Sequence, residues 1–597
     1  MGLLETVKSP SDLKKLNIKQ LEELSAEIRE IIIKVAQKNG GHLASSLGAV
    51  DAIVALYYVF DFPKDKLVFD VGHQSYAHKI LSERYEVFET IRMEGGLSGF
   101  PNIFESQYDS FTVGHAGTSV SASLGYCVAR DNLGEDYYVI SFVGDASMFN
   151  GENLEALFYM KDKPEKLLII LNDNGMSISK NKNGLYQAIS KISMKKRYSN
   201  FMSFMNKAVG WNFIGKGLKK VKASFKRSLG PLSVLDKVGI KYVGAFDGHN
   251  IKLMVKLFRD FKSSPRTTLM HLKTVKGKGL AEAENRAEQF HGVGKSFLPT
   301  VNTFSDVIGG ILIDRAVKNK KIVVITAGMT LGTGLTQFRS EFPSRLFDVG
   351  ISEEFAVTYS SGMAIAGLKP FVCIYSTFLQ RGYDQIMIDV CLQKLPVIFL
   401  IDRAGLVGSD GATHQGVYDL SYLRHIPNIT IMSPKDTTEL ESMVDYALKL
   451  NSPVAIRYPN GYVDNFGTHT EITESSLWET VKEGCGTTIL ACGARMVNLA
   501  LKTAEGTSVR VINARTVKPL DKQMLRSISQ DNIVTLEDNS KIGGFGSAVL
   551  EFYAQSEISA NVRIFGVADE FTEQASVASQ MVKNGLDEQS LKKVLKI

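Results

Sequence analysis

A chain of 597 residues, 44% apolar and 22% charged, is too long for one hydrophobic core and divides into roughly three or four domains of ordinary size. No apolar run approaches the roughly 18 residues of a membrane span, and the start MGLLETVKSP lacks the basic, apolar and small-residue succession of a secretory signal, so a cytoplasmic protein without membrane attachment is expected. The net charge of +6 is a mild excess for this length, and five scattered cysteines with no C-x-x-C pair argue against a disulfide framework and a cysteine zinc site.

In chain order, short Val- and Ile-rich runs alternate with helical patterns: YYVISFVGD, LLIILND, KIVVITAG, PFVCIY, LPVIFLID, TTILACG, VRVINA and NIVTLED. Strands apolar on both faces with helices between them mean mostly parallel sheets in an α/β protein. Turn-rich breaks near 296–303 and 459–475 divide it into three α/β domains, at about 1–300, 301–470 and 471–597. A basic insertion at about 180–231, with Lys219, Lys220, Lys222, Lys226 and Arg227, fits no α/β unit and is expected to be a mobile connection or lid. Its charge run reads first as a solvated surface, with nucleic-acid binding as the alternative.

The stretch GDASMFNGENLEALF, followed by LLIILNDNGM, carries the first chemistry. Consecutive parallel strands end at the same sheet edge, because the crossover helix returns the chain to start the next strand. Asp145 and the cluster Asn172 to Asn174 are therefore expected at one carboxyl edge, where a carboxylate, an amide oxygen and a carbonyl suit Mg²⁺. Glycines and helix-start amides suit an adjoining anion. On spacing alone the pattern also reads as a helix cap followed by a polar turn.

G-D-x followed by N-x-N resembles the thiamine diphosphate motif, which implies Asp145, Asn174 and the carbonyl of Met176 as Mg²⁺ ligands. Ala146 stands where the motif usually has glycine, and a need for positive φ there would strain it. Further stretches, GGHLASSLGAVDAIVALYYVF, DVGHQSYAHKIL, VGHAGTSVSASLG, IYSTFLQRGYDQ, IDRAGLVGSDGATHQGVYDLSYLR and AIRYPNG, resemble the 1-deoxy-D-xylulose-5-phosphate synthase family over nearly the whole chain. The likeness is weakest across 181–235.

This resemblance implies a transketolase-like architecture, thiamine diphosphate and Mg²⁺ as cofactors, and a homodimer. The implied reaction is decarboxylation of pyruvate followed by joining of the two-carbon unit to D-glyceraldehyde 3-phosphate. Loss of CO₂ from a 2-oxo acid leaves a carbanion that no side chain delocalises and a thiazolium ylid does. By resemblance Glu353 hydrogen-bonds the aminopyrimidine ring, Phe378 stacks on it, and His73, Gly114, His115, Ala116, Ala146, Ser147 and Leu280 line the cofactor. Leu280 replaces a usual tyrosine, and GHAG replaces GHSS with loss of hydroxyl donors. The same likeness implies that Arg403 and Arg457 grip the aldehyde's phosphate, a task suited to planar bidentate donors. It places Tyr375, Arg381 and Asp410 in the same pocket and makes His42, His414 and His291 candidates for proton transfer. Phe355 departs from the family's usual E-Q-H triplet. A relative with another acceptor aldehyde, or a weakly active cofactor-binding paralogue, is the alternative.

Overall fold

The structure, a computed structural model, describes residues 2–160, 164–175, 239–294, 303–461, 470–473 and 475–597. The basic insertion and Met176 lie outside the described residues. The chain divides into two compact units, Met1–Pro299 and Thr300–Ile597.

The first unit holds a parallel sheet in the order β1-β2-β3-β5-β4, from β1 (Lys66–Phe69), β2 (Val139–Gly144), β3 (Leu167–Asp173), β4 (Lys241–Asp247) and β5 (Thr268–Lys273). Its central strand β3 reads LLIILND and is buried along its whole length, as expected of a strand covered on both faces. The helix Leu43–Val59 is apolar around nearly its full circumference and buried accordingly, packed against the helices Ile18–Asn39 and Ile251–Ser263. Asn17 and Gln20 close a capping box on the Ile18–Asn39 helix, satisfying donors that its first turn leaves open.

The second unit holds two sheets. One runs β15-β10-β11-β9-β8-β6-β7, from β6 (Ile322–Thr326), β7 (Leu346–Asp348), β8 (Lys369–Tyr375), β9 (Ile398–Asp402), β10 (Thr430–Met432), β11 (Val454–Arg457) and β15 (Thr516–Lys518). The other runs β12-β14-β13-β16-β17, from β12 (Glu479–Lys482), β13 (Thr487–Cys492), β14 (Arg510–Asn513), β16 (Asn532–Ser540) and β17 (Asn561–Val567). All pairings are parallel except β10 with β15 and β12 with β14.

The segment after β14 leaves its own sheet, and β15 joins the neighbouring one. Arg515, immediately before β15, is fully buried; its guanidinium donates to the carbonyls of Leu477, Thr470 and Ser476 and reaches Glu439. Among the described residues no helix is long and apolar enough to cross a membrane.

Candidate active site

In the first unit β2 and β3 pair in parallel register, Gly144 opposite Asn172, so Asp145 and the Asn-Asp-Asn cluster sit side by side at the carboxyl edge. Asp145 is 1% exposed. Within the cluster, Asn172 is engaged on both sides, accepting from Thr274 Oγ1 at 2.7 Å and donating to Gln74 Oε1 at 3.2 Å. Asp173 faces His271 Nε2 at 2.7 Å, and Tyr242 holds the ring's other nitrogen at 2.7 Å. Asn174, past the end of β3, is partly exposed. Among the described residues no three His, Cys, Asp or Glu side chains gather as a metal site. A cation here would rest on a mixed set of carboxylate, amide and carbonyl oxygens, which suits a hard ion such as Mg²⁺.

Ala146 carries no strain. It lies in the short helix Asp145–Met148 and is absent from the residues with positive φ. A helical backbone at this position accommodates alanine. Gly117 is the conformationally demanding position: its φ is +94°, its amide donates to Asp70 Oδ1 at 2.9 Å, and a Cβ there would collide with Asn150 Oδ1. Asp70 also accepts from the Ser119 amide, fixing the Gly114–Ala116 loop at the start of the helix Ser119–Leu133. His115 is half-buried and Ala116 buried in that loop; Ser147 is buried, and Leu280 is partly buried against the unit's core.

Three imidazoles far apart in sequence come together in this unit. The ring centroids of His42 and His73 are 6.0 Å apart, those of His42 and His291 5.7 Å, and those of His73 and His291 5.4 Å. Burial pushes His73 and His291 well below the usual histidine range, so both rings are neutral at pH 7. His73 Nδ1 is closed off from solvent with no hydrogen-bond partner among the described residues. Lys276, not singled out by any motif, belongs with them. It is 4% exposed, burial lowers its pKa to about 8, and it lies within electrostatic reach of Asp145 and Glu288. In the sequence it is one lysine of VKGKG, indistinguishable from a surface charge.

In the second unit Glu353 opens the helix Glu353–Ile365 and is 3% exposed, with Oε2 buried and unpartnered among the described residues. Burial raises its pKa to about 7 against the opposing pull of Arg381. Tyr375 closes β8, and its ring stacks on Phe378 at 5.8 Å and beneath the Arg403 guanidinium at 3.9 Å. Phe378 in turn meets His414 edge-on at 5.6 Å. Arg403 adopts φ +56° directly after β9, its Nε buried without a partner among the described residues. Asp410, partly exposed, contributes to the electrostatics of both Arg403 and Tyr375.

Arg457 requires a correction. It is 3% exposed, its Nε lies 2.9 Å from Asp419 Oδ2, and a terminal nitrogen donates to the Asp538 carbonyl at 3.1 Å. The guanidinium is committed to a buried ion pair and is not presented to a substrate phosphate. Phe355, 51% exposed, stacks on Tyr359 and stays outside this cluster.

Residues 4–274 match the family model described as 1-deoxy-D-xylulose-5-phosphate synthase. Residues 302–464 match the transketolase pyrimidine binding domain and 476–591 the transketolase C-terminal domain. The 1-deoxy-D-xylulose-5-phosphate synthase of Carboxydothermus hydrogenoformans is 44% identical over 99% of this chain and 98% of its own. The chain belongs to the 1-deoxy-D-xylulose-5-phosphate synthase family. The synthase of Clostridium tetani is 43% identical over the whole of both chains, and that of Thermus thermophilus is 42% identical over 99% of this chain and 98% of its own. A solved transketolase from Campylobacter jejuni is 18% identical over 98% of this chain and all of its own, with a TM-score of 0.44.

1-Deoxy-D-xylulose-5-phosphate synthases are transketolase-like transferases that use thiamine diphosphate. The residues here fit that group: in the second unit Glu353 offers a buried carboxyl oxygen without a partner among the described residues, held toward its protonated form by burial and so able to share a proton with a pyrimidine ring nitrogen, and in the first the carboxyl edge of β2 and β3 offers oxygen ligands beside helix-start amides.

Proposed function

We propose that this chain decarboxylates pyruvate and joins the two-carbon remainder to D-glyceraldehyde 3-phosphate, giving 1-deoxy-D-xylulose 5-phosphate and CO₂, with thiamine diphosphate and Mg²⁺ bound. The cofactor supplies the electron sink that a carbanion formed by loss of CO₂ needs. In this reading Asp145, Asn174 and the Met176 carbonyl hold Mg²⁺, and the Gly114–Ala116 loop, Ala146 and Ser147 line the diphosphate. Glu353 would share a proton with the cofactor's aminopyrimidine ring and so hold it, a role suited to a carboxyl tuned toward neutrality in a dry site. Phe378 stacks on the ring. The neutral rings of His73 and His291, with His42, each present one hydrogen-bond donor and one acceptor, and His42, His291 and, beside Phe378, His414 are the candidates for proton transfer.

Arg403, pinned over Tyr375, is the phosphate grip, with Tyr375, Arg381 and Asp410 around the same substrate. Tyr375, whose pKa burial raises to about 12, remains a hydrogen-bond donor. The protein is expected to work as a cytoplasmic homodimer whose product feeds isoprenoid, thiamine and pyridoxal precursors. The observation that carries the reading is Glu353, a buried carboxylate oxygen with no partner at the start of a helix, in a chain that is 44% identical to a synthase over its full length. Commitment of Arg457 to Asp419 removes one expected phosphate contact and favours a second reading, a different acceptor aldehyde. One assay tests both: pyruvate with glyceraldehyde 3-phosphate or other aldehydes, with and without cofactor, followed for CO₂ and sugar phosphate. Release of CO₂ with no ketose phosphate from glyceraldehyde 3-phosphate would overturn the first reading.

A further inference from the structure

We propose that His249 is a positioning residue: by accepting the Val275 amide proton it sets the turn that carries Lys276. The inference rests on the reading of the Asp145 edge as the cofactor site. Val275 N lies 2.8 Å from His249 Nε2, and His249 Nδ1 lies 2.7 Å from Asp51 Oδ2. A backbone amide can only donate, so Nε2 carries the lone pair and the proton resides on Nδ1, pointing at Asp51. Asp51 is itself paired with Arg29, whose Nε donates to the Leu47 carbonyl at 3.3 Å. The result is one polarised line from Arg29 through Asp51 and His249 to the Val275 amide.

Two features separate this line from an ordinary surface contact. Asp51 is 5% exposed and is the one charged residue of the helix Leu43–Val59; burial works against its ionisation, yet His249 and Arg29 hold it below the usual carboxylate range. Placing a charge in a core helix is costly unless it is paired. Second, the turn is fastened on both sides of Lys276. Thr274 N donates to the Asp173 carbonyl at 2.9 Å, and Gly277 N donates to the Ala44 carbonyl at 2.8 Å. Helix residue Gly48 has no room to spare, since a Cβ there would lie 2.9 Å from the Val275 carbonyl. Val275 is 42% exposed, so its side chain does not hold the peptide; the His249 bond does, and the next residue is the buried Lys276, within electrostatic reach of Asp145.

The test separates the two bonds of the ring. In His249→Asn the amide keeps a donor where Nδ1 stood and falls short of Val275; in His249→Gln the carbonyl oxygen reaches the place of Nε2. The full-length protein with thiamine diphosphate and Mg²⁺ is assayed for kcat and both KM values. Amide exchange of the peptide spanning 274–280 and thermal melting are measured in parallel. The expected result is a kcat lower by about tenfold or more in His249→Asn, the scale of a small misplacement. Exchange at Val275 should quicken while the melting temperature holds, and His249→Gln should stay close to wild type in each readout. Wild-type kcat and exchange in His249→Asn, or equal impairment in both variants, would overturn the proposal.

Should the Asn variant not fold, His249→Ala, which leaves no acceptor near the Val275 amide, takes its place in the same readouts, and wild-type kcat and Val275 exchange in it would overturn the proposal. A wild type without synthase activity would refute the functional reading, while the exchange data would still judge His249.

Discussion

Glu353 faces two opposed demands, since the burial that tunes it for chemistry also makes its ionised form costly in the folded protein. Replacing it by glutamine should leave cofactor binding measurable by fluorescence quenching and lower turnover at least about a hundredfold, the scale of losing an acid-base group. The same variant carries a stability signature. A carboxyl whose pKa rises from 4.5 to about 7 on folding contributes stability that is present below 4.5 and lost as pH rises through 7. Cofactor-free Glu353→Gln should therefore be more stable than wild type at pH 8, by up to about 3 kcal/mol, with the gap closing toward pH 4.5 in urea titrations. Arg403→Ala should raise KM for the phosphorylated aldehyde about tenfold or more, the worth of a charge-assisted bond, and move KM for pyruvate much less. At this scale the sequence was a partial guide. Asp145 and Asn174 follow from a rule about parallel strands, whereas the meeting of His42, His73 and His291 has no period that could announce it. Lys276 is silent because burial of one lysine among many depends on tertiary packing. The worry over Ala146 failed because the helix starts at Asp145, and Arg457 misled because its partner Asp419 lies 38 residues away.

Elements carry their own tests. Asp419, at the start of the helix Asp419–Arg424, neutralises Arg457 at the end of β11. Removing one member of a buried pair leaves an uncompensated charge, so Asp419→Ala should lose about 3–5 kcal/mol in denaturant unfolding. Gly117 follows the Gly114–Ala116 loop at φ +94° against Asn150; Gly117→Ala should cost about 1–3 kcal/mol and, if the loop lines the diphosphate as proposed, weaken cofactor binding, read by melting with and without ligand. The long apolar strands β2, β3, β6, β8, β9, β13, β14 and β16 were all visible as Val- and Ile-rich runs. β10 and β15 were not: each has three residues, too few for any periodicity to register. β4 reads KYVGAFD, with a glycine at its centre, and resembles a turn as much as a strand.

For the molecule as a whole, ligand linkage gives the broadest measurement. Thiamine diphosphate with Mg²⁺ at about a hundred times Kd should stabilise the fold by about 2.7 kcal/mol, seen as a rise in melting temperature that a chelator reverses. Asp145→Ala should abolish the Mg²⁺-dependent part of that rise while leaving the ligand-free melting temperature close to wild type. Compactness divides the chain once, at Pro299 and Thr300, where the sequence suggests three domains, whereas the α/β class could be read without coordinates because composition alone marks buried parallel strands. The exchange of β15 from one sheet to the other could not, since it depends on Arg515 finding carbonyls dozens of residues away.

That exchange bears on how the second unit can be dissected. A protein ending near 475 would retain every parallel strand of the seven-stranded sheet and still lose the ribbon that flanks Ile431 and Met432, leaving their main-chain groups open to any passing strand. Such a fragment should aggregate through that open edge, so shortened versions for crystallography or screening belong at 300–597, with Thr516–Lys518 kept in place.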